Sequence, residues 1–598
     1  MSLVEVTDLT VEFGALRAVD GLSFRLAEGA ALGLVGESGS GKSTVASALL
    51  GLHRGTGAVV GGSVRVAGTD VRTASDEELR RLRGGRAAMV FQDPLSSLDP
   101  YYAIGDQIAE VYRVHTRVSR RTARARAVQV LERVGIPDPV RRSRSRPHEF
   151  SGGMRQRALI AMALACEPDL LIADEPTTAL DVTVQAQILD LLHTLREETG
   201  MGLLLVTHDV GVAAESVDEV LVMRHGRLVE HGPVGAVLAA PAQPYTRELL
   251  AAVPRVEARR AADDGPAKPD ARGPDVQRAG VRGTGVQGTG VQEPEVQGPD
   301  VQGPDVRRPD AGGSLADVRR AAVQPSSEVV LEAHGLRREF GRGKRAFAAV
   351  DGVSLTVHRG ETVGVVGESG SGKTTLGRML VGLLEPTAGE VRYEGRVSSG
   401  VNPTVQMVFQ DPVSSLNPRR SVGESIADPL RASGARGVRG VRGRDEAGVR
   451  GRVTELLERV GLEAAHYDRY PHEFSGGQRQ RVGIARALAA EPRVIVCDEP
   501  VSALDVTTQA QVVALLGELQ RELGLALVFV AHDLAVVRQV SDRVAVMRRG
   551  RVVEEGPADE VYESPRDPYT RQLLAAVPAL DPAVAARRRA ERREPALT

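Results

Sequence analysis

The chain has 598 residues, 42% of them hydrophobic, and a formal net charge of −2 at pH 7. This length predicts several domains, each with its own core, and the near-neutral charge gives no reason to expect nucleic acid as a partner. The two cysteines, Cys166 and Cys497, cannot by themselves form a cysteine-ligated zinc or iron–sulfur site. No stretch approaches 18 consecutive apolar residues and no signal peptide is evident, which predicts a protein in the cytosol or peripheral on a membrane.

The first 30 residues alternate apolar and polar side chains around Asp20-Gly21, which predicts antiparallel strands. A short apolar stretch then leads into Gly36–Ser43, which matches G-x-x-x-x-G-K-[ST], and a helix-like segment follows. In such a strand–loop–helix unit the glycine backbone N–H groups surround phosphate oxygens, and the helix N-terminus favours negative charge. The loop therefore predicts a phosphate-binding site.

Alternating helical and strand patterns follow. Residues 101–147 indicate an arginine-rich helical region, and an alanine-rich helix begins at Phe150-Ser151-Gly152-Gly153. Leu170–Glu175 has the pattern of a buried parallel strand that ends in two acids, and Leu203–Val206 that of another, which ends near His208. The alternation predicts an α/β sheet.

Residues 255 to about 327 differ in composition. Their centre repeats every five residues, as in Gly-Pro-Asp-Val-Gln, so its single valines cannot build a core, and Gly and Pro oppose helix and sheet. The prediction is a disordered tether that spans on the order of 50 Å; a solenoid is the less favoured alternative. The predicted organisation is a first domain at 1–254, a disordered Gly/Pro/Val linker at 255–328, a second domain at 329–578 and a basic flexible tail at 579–598.

From residue 329 the first module repeats. The phosphate-loop octapeptide returns as Gly367–Thr374, and four motif residues recur at a constant distance of 324 residues, which indicates that this part of the repeat has no insertions. These pairs are Ser151 with Ser475, Asp174 with Asp498, Asp181 with Asp505, and His208 with His532.

This set of motifs, in this order and present twice, resembles the nucleotide-binding domain of ABC transporters. The Pro-Tyr-Thr-Arg elements at Pro244 and Pro568, together with the two Phe-Ser-Gly-Gly segments, are similar to the ATPase subunits of oligopeptide, dipeptide and nickel importers, two of which are fused here. The resemblance implies two tandem P-loop NTPase (RecA-like) domains, each with an antiparallel β subdomain and a helical subdomain. Some relatives carry a cysteine cluster after the tyrosine–threonine element; it is absent here, so no iron–sulfur cluster is expected.

Phosphoryl transfer to water requires charge neutralisation and a positioned nucleophile. In each domain a glutamate is expected to polarise the attacking water, and a histidine to contact the γ-phosphate. A hydroxyl, a glutamine and an aspartate are expected to hold Mg²⁺. The expected catalytic residues are Glu175, His208, Glu499 and His532, and the expected metal ligands are Ser43, Gln92, Asp174, Thr374, Gln410 and Asp498.

ATP is expected to contact the phosphate loops, the two glutamines, the Ser-Gly-Gly signatures, the aspartates that follow them, and an aromatic ring in each domain. In the first domain these residues are Phe13 (alternatively a plain core residue), Gly36, Ser38, Gly39, Ser40, Gly41, Lys42, Ser43, Thr44, Gln92, Ser151, Gly152, Gly153 and Asp181. In the second domain they are Gly367, Ser369, Gly370, Ser371, Gly372, Lys373, Thr374, Thr375, Gln410, Ser475, Gly476, Gly477, Gln478 and Asp505, with either Phe340 or Phe347 on the second adenine.

In the family resembled, the Ser-Gly-Gly signature engages the ATP of the opposite domain, so that two ATPs lie between head-to-tail domains. The resemblance therefore implies an intramolecular dimer in which Lys42 pairs with Ser475, and Lys373 with Ser151. Met154 stands where the second signature has Gln478, so the site closed by Ser151 can differ in rate.

The predicted function is ATP hydrolysis that powers uptake of peptides or related small solutes. The predicted partners are two membrane permease subunits and an extracytoplasmic substrate-binding protein, with the chain peripheral on the cytoplasmic face of the cell membrane. Two alternatives stay open: a soluble twin ATPase that acts on ribosomes or DNA, and the ATPase of an exporter. The linker is unlike the charged helical linker of the translation factors, and the Pro-Tyr-Thr elements disfavour an exporter. The solute itself is not legible, because the ATPase never touches it.

Overall fold

The computed structural model describes most of the two predicted ATPase domains. The described residues are 2–178, 180–256, 327–341, 346–433, 446–502 and 504–593. The chain divides into one compact unit of residues 1–260 and 324–598 and a second unit of residues 261–323. That second unit, and with it nearly all of the linker predicted at 255–328, lies outside the described residues.

The first half, residues 2–256, forms two sheets. One is antiparallel with the order β2-β1-β4-β5; the other has the order β10-β9-β3-β8-β7-β6 and is parallel except for its edge strand β10. The strands are β1 (Ser2–Phe13), β2 (Leu16–Ala27), β3 (Ala31–Val35), β4 (Val59–Val66), β5 (Thr69–Asp70), β6 (Ala87–Val90), β7 (Leu170–Asp174), β8 (Gly202–Thr207), β9 (Glu219–Arg224) and β10 (Arg227–Pro233).

Helices complete this half. The arginine-rich region predicted to be helical contains α4 and α5, which pack on each other and form most of a helical subdomain. The helices are α1 (Lys42–Leu49), α2 (Asp76–Leu82), α3 (Pro94–Ser97), α4 (Ile104–Thr116), α5 (Arg120–Arg133), α6 (Pro139–Arg142), α7 (Gly152–Ala163), α8 (Val182–Thr199), α9 (Val210–Ser216), α10 (Val234–Ala239) and α11 (Pro244–Ala252).

The parallel sheet lies between two hydrophobic cores. Successive residues of β7 alternate between them: Leu170 and Ile172 pack with the antiparallel sheet and α1, whereas Leu171 and Ala173 pack with the helical side. Side chains of a strand point to opposite faces in turn, so a strand covered on both faces must be apolar throughout. This is why β3, β7 and β8 are buried along their whole length.

The second half, residues 327–593, repeats both sheets with the orders β12-β11-β14-β15 and β16-β17-β18-β13-β19-β20. Its strands are β11 (Val329–Phe340), β12 (Phe347–His358), β13 (Thr362–Val366), β14 (Ala388–Tyr393), β15 (Arg396–Val397), β16 (Val405–Val408), β17 (Val494–Asp498), β18 (Ala526–Val530), β19 (Arg543–Arg548) and β20 (Arg551–Pro557). Its helices are α12 (Lys373–Leu380), α13 (Pro412–Ser415), α14 (Val422–Ser433), α15 (Glu446–Arg459), α16 (Gly476–Leu488), α17 (Val506–Leu523), α18 (Leu534–Val540), α19 (Ala558–Glu563), α20 (Pro568–Ala575) and α21 (Pro582–Arg593).

The prediction of two tandem α/β domains, each with an antiparallel β subdomain and a helical subdomain, is confirmed by this repeated architecture. Among the helices within the described ranges, none combines the length and the apolar character that crossing a bilayer requires.

The C-terminal segment of each half contacts the opposite half. After α11, the Val256 carbonyl accepts a hydrogen bond from the Arg538 guanidinium in α18. After α20, the Ala579 backbone N–H donates to Glu215 Oε1 in α9 at 3.2 Å. Ala579 is the first residue of the predicted tail. The tail includes α21, and the Arg589 guanidinium in α21 donates a hydrogen bond to the Glu215 carbonyl. The two halves are therefore joined by exchanged segments.

Candidate active sites

Each phosphate loop joins the first strand of the parallel sheet to a helix, β3 to α1 and β13 to α12. Gly41 precedes α1 in the left-handed region at φ 97°, and a Cβ there would lie 2.3 Å from the Ala18 carbonyl oxygen. Only glycine fits this position. None of the described side chains caps α1, and the first N–H groups of the helix can donate to a phosphate.

The lysine of each loop is buried and folded back on the loop backbone. Lys42 Nζ donates to the carbonyls of Gly36 and Glu37, each at 2.8 Å. Burial lowers the pKa of Lys42, while nearby acids, first Glu175 and Asp174, oppose that shift. The corresponding contacts of the second half are Lys373 Nζ to Gly367 O at 2.7 Å and to Glu368 O at 2.9 Å.

A buried aspartate at the end of the neighbouring strand faces the hydroxyl of each loop. Ser43 Oγ donates to Asp174 Oδ1 at 3.0 Å, and Thr374 Oγ1 donates to Asp498 Oδ1 at the same distance. Burial raises the pKa of Asp174 to about 6 and also raises that of Asp498. A buried carboxylate that is hard to ionise alone, beside a hydroxyl, suits a hard divalent cation. Among the described residues, no three His, Cys, Asp or Glu side chains lie close enough together to hold a metal ion.

The glutamate after each of these aspartates has a left-handed backbone, with φ of 46° at both Glu175 and Glu499. This conformation is strained for a residue with a Cβ, and such strain is concentrated at functional positions. Each glutamate directly follows the last residue of its strand. The left-handed backbone directs its side chain toward polar groups other than those around the preceding aspartate. The sequence pattern did not predict this backbone geometry.

Three side chains meet the Glu175 carboxylate. Gln92 Nε2 donates to Oε2 at 2.6 Å, Thr178 Oγ1 donates to Oε2 at 3.0 Å, and His208 Nδ1 lies 3.1 Å from Oε1. Burial acts against ionisation, but the hydrogen bond and charge of His208 lower the pKa of Glu175. In the second half Gln410 Nε2 donates to Glu499 Oε2 at 2.7 Å, His532 Nδ1 lies 3.3 Å from it, and Ser502 Oγ bonds the Glu499 carbonyl instead of the carboxylate.

The Ser-Gly-Gly signatures cap helices α7 and α16. Ser151 Oγ accepts from the Met154 backbone N–H at 3.4 Å. A Cβ on Gly153 would lie 2.5 Å from Val184 Cγ1, so this glycine is needed for packing against α8. In the second half Ser475 and Gln478 form a reciprocal capping box, which Met154 cannot form: Ser475 Oγ accepts from the Gln478 N–H at 3.3 Å, and the Ser475 N–H donates to Gln478 Oε1 at 3.0 Å.

The aromatic residues expected to meet adenine lie at the ends of the β subdomains. Phe13 is 39% exposed and packs edge-on against His53, with ring centroids 5.5 Å apart. Phe340 and Phe347 form a tilted pair with centroids 6.0 Å apart, and Phe347 is 62% exposed. The sequence predicted that one of these two rings meets the second adenine. In the structure the two rings lie against each other as a pair. Contact with adenine stays a prediction for all three.

Residues of opposite halves meet at the phosphate loops. Thr507 Oγ1 at the start of α17 donates to Glu37 Oε1 in the first loop at 2.9 Å. Asp505, which caps α17 through the Thr508 N–H at 2.9 Å, is one of the acids whose charge acts on Lys42. Asp181 caps α8 in the same way and acts on Lys373.

The sequence reasoning missed Glu37, Thr507 and Thr178. A signal was available for the first two, since both halves carry a glutamate as the second loop residue and a threonine two residues after the capping aspartate.

A parallel sheet with a phosphate loop after one strand, an aspartate–glutamate pair at the end of the next strand but one, and a histidine after the strand between them defines a P-loop ATPase. Comparison with known proteins specifies the class further. The ABC transporter family model matches residues 19–178 and 350–502, and the model for the oligopeptide/dipeptide transporter C-terminal region matches residues 229–278 and 553–598.

The similarity to other ATP-binding proteins extends over nearly the whole chain. The oligopeptide transport ATP-binding protein OppD of Mycobacterium bovis is 45% identical over 97% of this chain and 99% of its own length. The glutathione import ATP-binding protein GsiA of Pectobacterium atrosepticum is 43% identical over 97% of this chain and 90% of its own. The GsiA protein of Salmonella choleraesuis is 45% identical over 94% of this chain and 87% of its own.

The chain belongs to the ATP-binding proteins of the ABC transporter family. It binds and hydrolyses ATP, and its membership implies membrane permease partners.

Asp174→Asn is expected to stabilise the nucleotide-free protein at neutral pH. The rise of the Asp174 pKa from 3.8 to about 6 means that the ionised carboxylate destabilises the fold by up to roughly 3 kcal/mol. This penalty builds up as the pH rises from 3.8 to about 6 and is complete above it, because the unfolded chain ionises first. Asparagine keeps an oxygen for the Ser43 hydroxyl and carries no charge.

The measurement is the melting temperature of the wild type and Asp174→Asn in a chelator, at about pH 7.5 and about pH 5. The melting temperature of Asp174→Asn should exceed that of the wild type by more at the higher pH. An equal change in melting temperature at both pH values would contradict the conclusion that burial raises the pKa of Asp174. The matched variant Asp498→Asn should behave in the same direction, since burial also raises the pKa of Asp498.

Proposed function

We propose that the chain powers the uptake of peptides or related small solutes through two separate membrane permease subunits, supplied by an extracytoplasmic substrate-binding protein, and that it is peripheral on the cytoplasmic face of the membrane. The observation that carries the proposal is the oligopeptide/dipeptide transporter C-terminal region, which matches both halves. The names of the relatives, oligopeptide transport and glutathione import proteins, support uptake of small peptides.

The two halves act as a head-to-tail pair that closes over two ATP molecules, the first between Lys42 and Ser475 and the second between Lys373 and Ser151. Support comes from the contacts that cross between the halves: Thr507 bonds Glu37 in the first loop, and the capping aspartates act electrostatically on the opposite lysines. A composite site makes hydrolysis depend on closure, because neither half alone supplies all the contacts.

In each site the loop amides and the lysine bind the phosphates. Within the described part of the chain, Lys42 Nζ bonds to two backbone carbonyls of its own loop and more weakly to the Ser40 hydroxyl, and phosphate oxygens can replace these partners. Mg²⁺, when bound, would supply positive charge that offsets the negative charge of the phosphates, and Ser43, Gln92 and Asp174 would hold it. Thr374, Gln410 and Asp498 would hold it in the second site.

Glu175 and Glu499 polarise the attacking water. The water oxygen bonds to the γ-phosphorus as the bond to the β,γ-bridging oxygen breaks, and the water proton passes toward the glutamate. The hydrogen bond from His208 lowers the pKa of Glu175 and so helps to keep this carboxylate ionised. His208 is also expected to contact the γ-phosphate. Gln92, bonded to the same carboxylate, links the glutamate to the start of α3 and the helical subdomain beyond it.

The test is solute uptake in cells that lack this chain. Uptake of at least one of two radiolabelled probes, a tripeptide or glutathione, should be lost, and the wild-type chain should restore it. The double variant Glu175→Gln/Glu499→Gln, produced at the same level, should not restore it. Unchanged uptake together with co-purification of ribosomes instead of integral membrane proteins would contradict the proposal, and faster loss of a preloaded probe from wild-type cells would indicate an exporter.

A further inference from the structure

Glu37, the second residue of the first phosphate loop, joins that loop to the opposite half. Its carbonyl accepts a hydrogen bond from Lys42 Nζ at 2.8 Å, and its Oε1 accepts one from Thr507 Oγ1 at 2.9 Å. Neither Glu37 nor Thr507 has a role in the hydrolysis described above. One residue therefore contacts both the phosphate-binding lysine and a helix of the other half.

Thr507 lies in the first turn of α17, next to the Thr508 N–H that Asp505 caps. The charge of Asp505 acts in turn on Lys42. Hydrogen bonds thus connect Lys42 through Glu37 to Thr507 of the other half. When a phosphate takes Lys42 Nζ away from the Glu37 carbonyl, the Glu37 carboxylate still ties the loop to α17.

The second loop is anchored differently. Thr183 is the counterpart of Thr507, 324 residues earlier, and its Oγ1 is buried without a hydrogen-bond partner in the described part of the chain. The Glu368 backbone N–H instead donates to Tyr569 OH at 3.1 Å, in α20 of its own half. The Tyr245 hydroxyl lies near the Glu37 backbone without a hydrogen bond of ordinary geometry.

Two further differences concern the same site. The Thr178 hydroxyl donates to the Glu175 carboxylate, whereas its counterpart Ser502 donates to the Glu499 backbone carbonyl. The capping box of Ser475 and Gln478 belongs to the signature that faces Lys42 in the head-to-tail pairing. All three features pre-organise the site that combines the first loop with the second signature.

We propose that Glu37 is a positioning residue of this first ATP site, held by Thr507 of the opposite half, and that the second site lacks the equivalent contact. Turnover at the first site depends on the contact that α17, in the second half, makes with the phosphate loop of the first half. The inference rests on the head-to-tail pairing proposed above and names the contact through which one half controls the site of the other.

The test measures steady-state ATP hydrolysis of the full chain over a range of ATP concentrations, with every variant made in a Glu499→Gln background. This background serves as the wild-type reference, and only the first site is expected to turn over in it. Thr507→Val removes the donor at nearly constant volume and should lower kcat about two- to fivefold, as expected for one lost hydrogen bond, with KM for ATP little changed. Thr507→Ser keeps the hydroxyl and should restore kcat. Thr183→Val, at the matched position without a partner, should leave kcat unchanged.

A second measurement separates positioning from general destabilisation. Glu37→Ala and Glu37→Ala/Thr507→Val should have the same kcat, because the threonine acts through the glutamate. Additive losses, a Thr507→Val variant equal to the wild type, or an equal loss in Thr183→Val would each overturn the inference. If instead Glu175→Gln/Glu499→Gln still hydrolyses ATP, the proposed catalytic roles fail first, which is a distinguishable result.

Discussion

Replacing both Glu175 and Glu499 with glutamine is expected to reduce ATP turnover by at least about a hundredfold while ATP stays bound, the size of effect typical of losing a general base. Glutamine matches glutamate in shape and keeps an oxygen that Gln92 and Thr178 can bond. It cannot accept a proton from water. The variant should therefore bind ATP, close, and stop before hydrolysis.

The measurement combines phosphate release with the amount of labelled nucleotide retained after rapid gel filtration. A matched control is Glu198→Gln/Glu522→Gln, which makes the same charge change at equivalent exposed positions of α8 and α17. The control should hydrolyse ATP like the wild type. Wild-type turnover in the Glu175/Glu499 double variant would show that these carboxylates do not activate the water.

The second large expected effect tests which phosphate loop forms an ATP site together with which Ser-Gly-Gly signature. In the Glu175→Gln/Glu499→Gln background, adding Lys42→Ala and Ser475→Arg damages the same proposed site twice. Adding Lys42→Ala and Ser151→Arg damages both sites once. The first combination should retain about one occluded ATP per chain and the second close to none, because a site needs both of its components.

The two combinations are matched for stability. Each loses one buried lysine and one helix N-cap, and Ser151 and Ser475 cap equivalent helices, so both should lose about 1 kcal/mol from the cap. A general folding defect would therefore reduce both alike. If the combination with Ser151→Arg retained the nucleotide instead, each loop would work with the signature of its own half, and the head-to-tail pairing would be wrong.

The phosphate loops, the buried strands and the position of the aspartate–glutamate pair could be predicted from the sequence, because each rests on local chemistry. A loop that must approach backbone as closely as Gly41 does requires glycine at fixed positions, and a strand covered on both faces, such as β7, requires an unbroken apolar run. These requirements leave a pattern in a few consecutive residues. The same pattern occurs twice, so the two-domain architecture could be predicted as well.

The left-handed backbone of Glu175 and Glu499 could not be predicted in this way. Glutamate has no preference for that region, and the cluster of Gln92, Thr178 and His208 around the carboxylate forms only when three strands and a loop come together. Nor does any local pattern show why Gly153 is a glycine, since the side chain that excludes a Cβ there belongs to α8.

The sequence by itself determined the fold class and the chemical groups that are proposed for each ATP site. Only the tertiary structure decided which groups of the two halves touch: Thr507 with Glu37, Arg538 with Val256, and Glu215 with Ala579. The physical reason is that turn and strand preferences act over a few residues, whereas these contacts join residues hundreds of positions apart, and depend on how the finished halves pack.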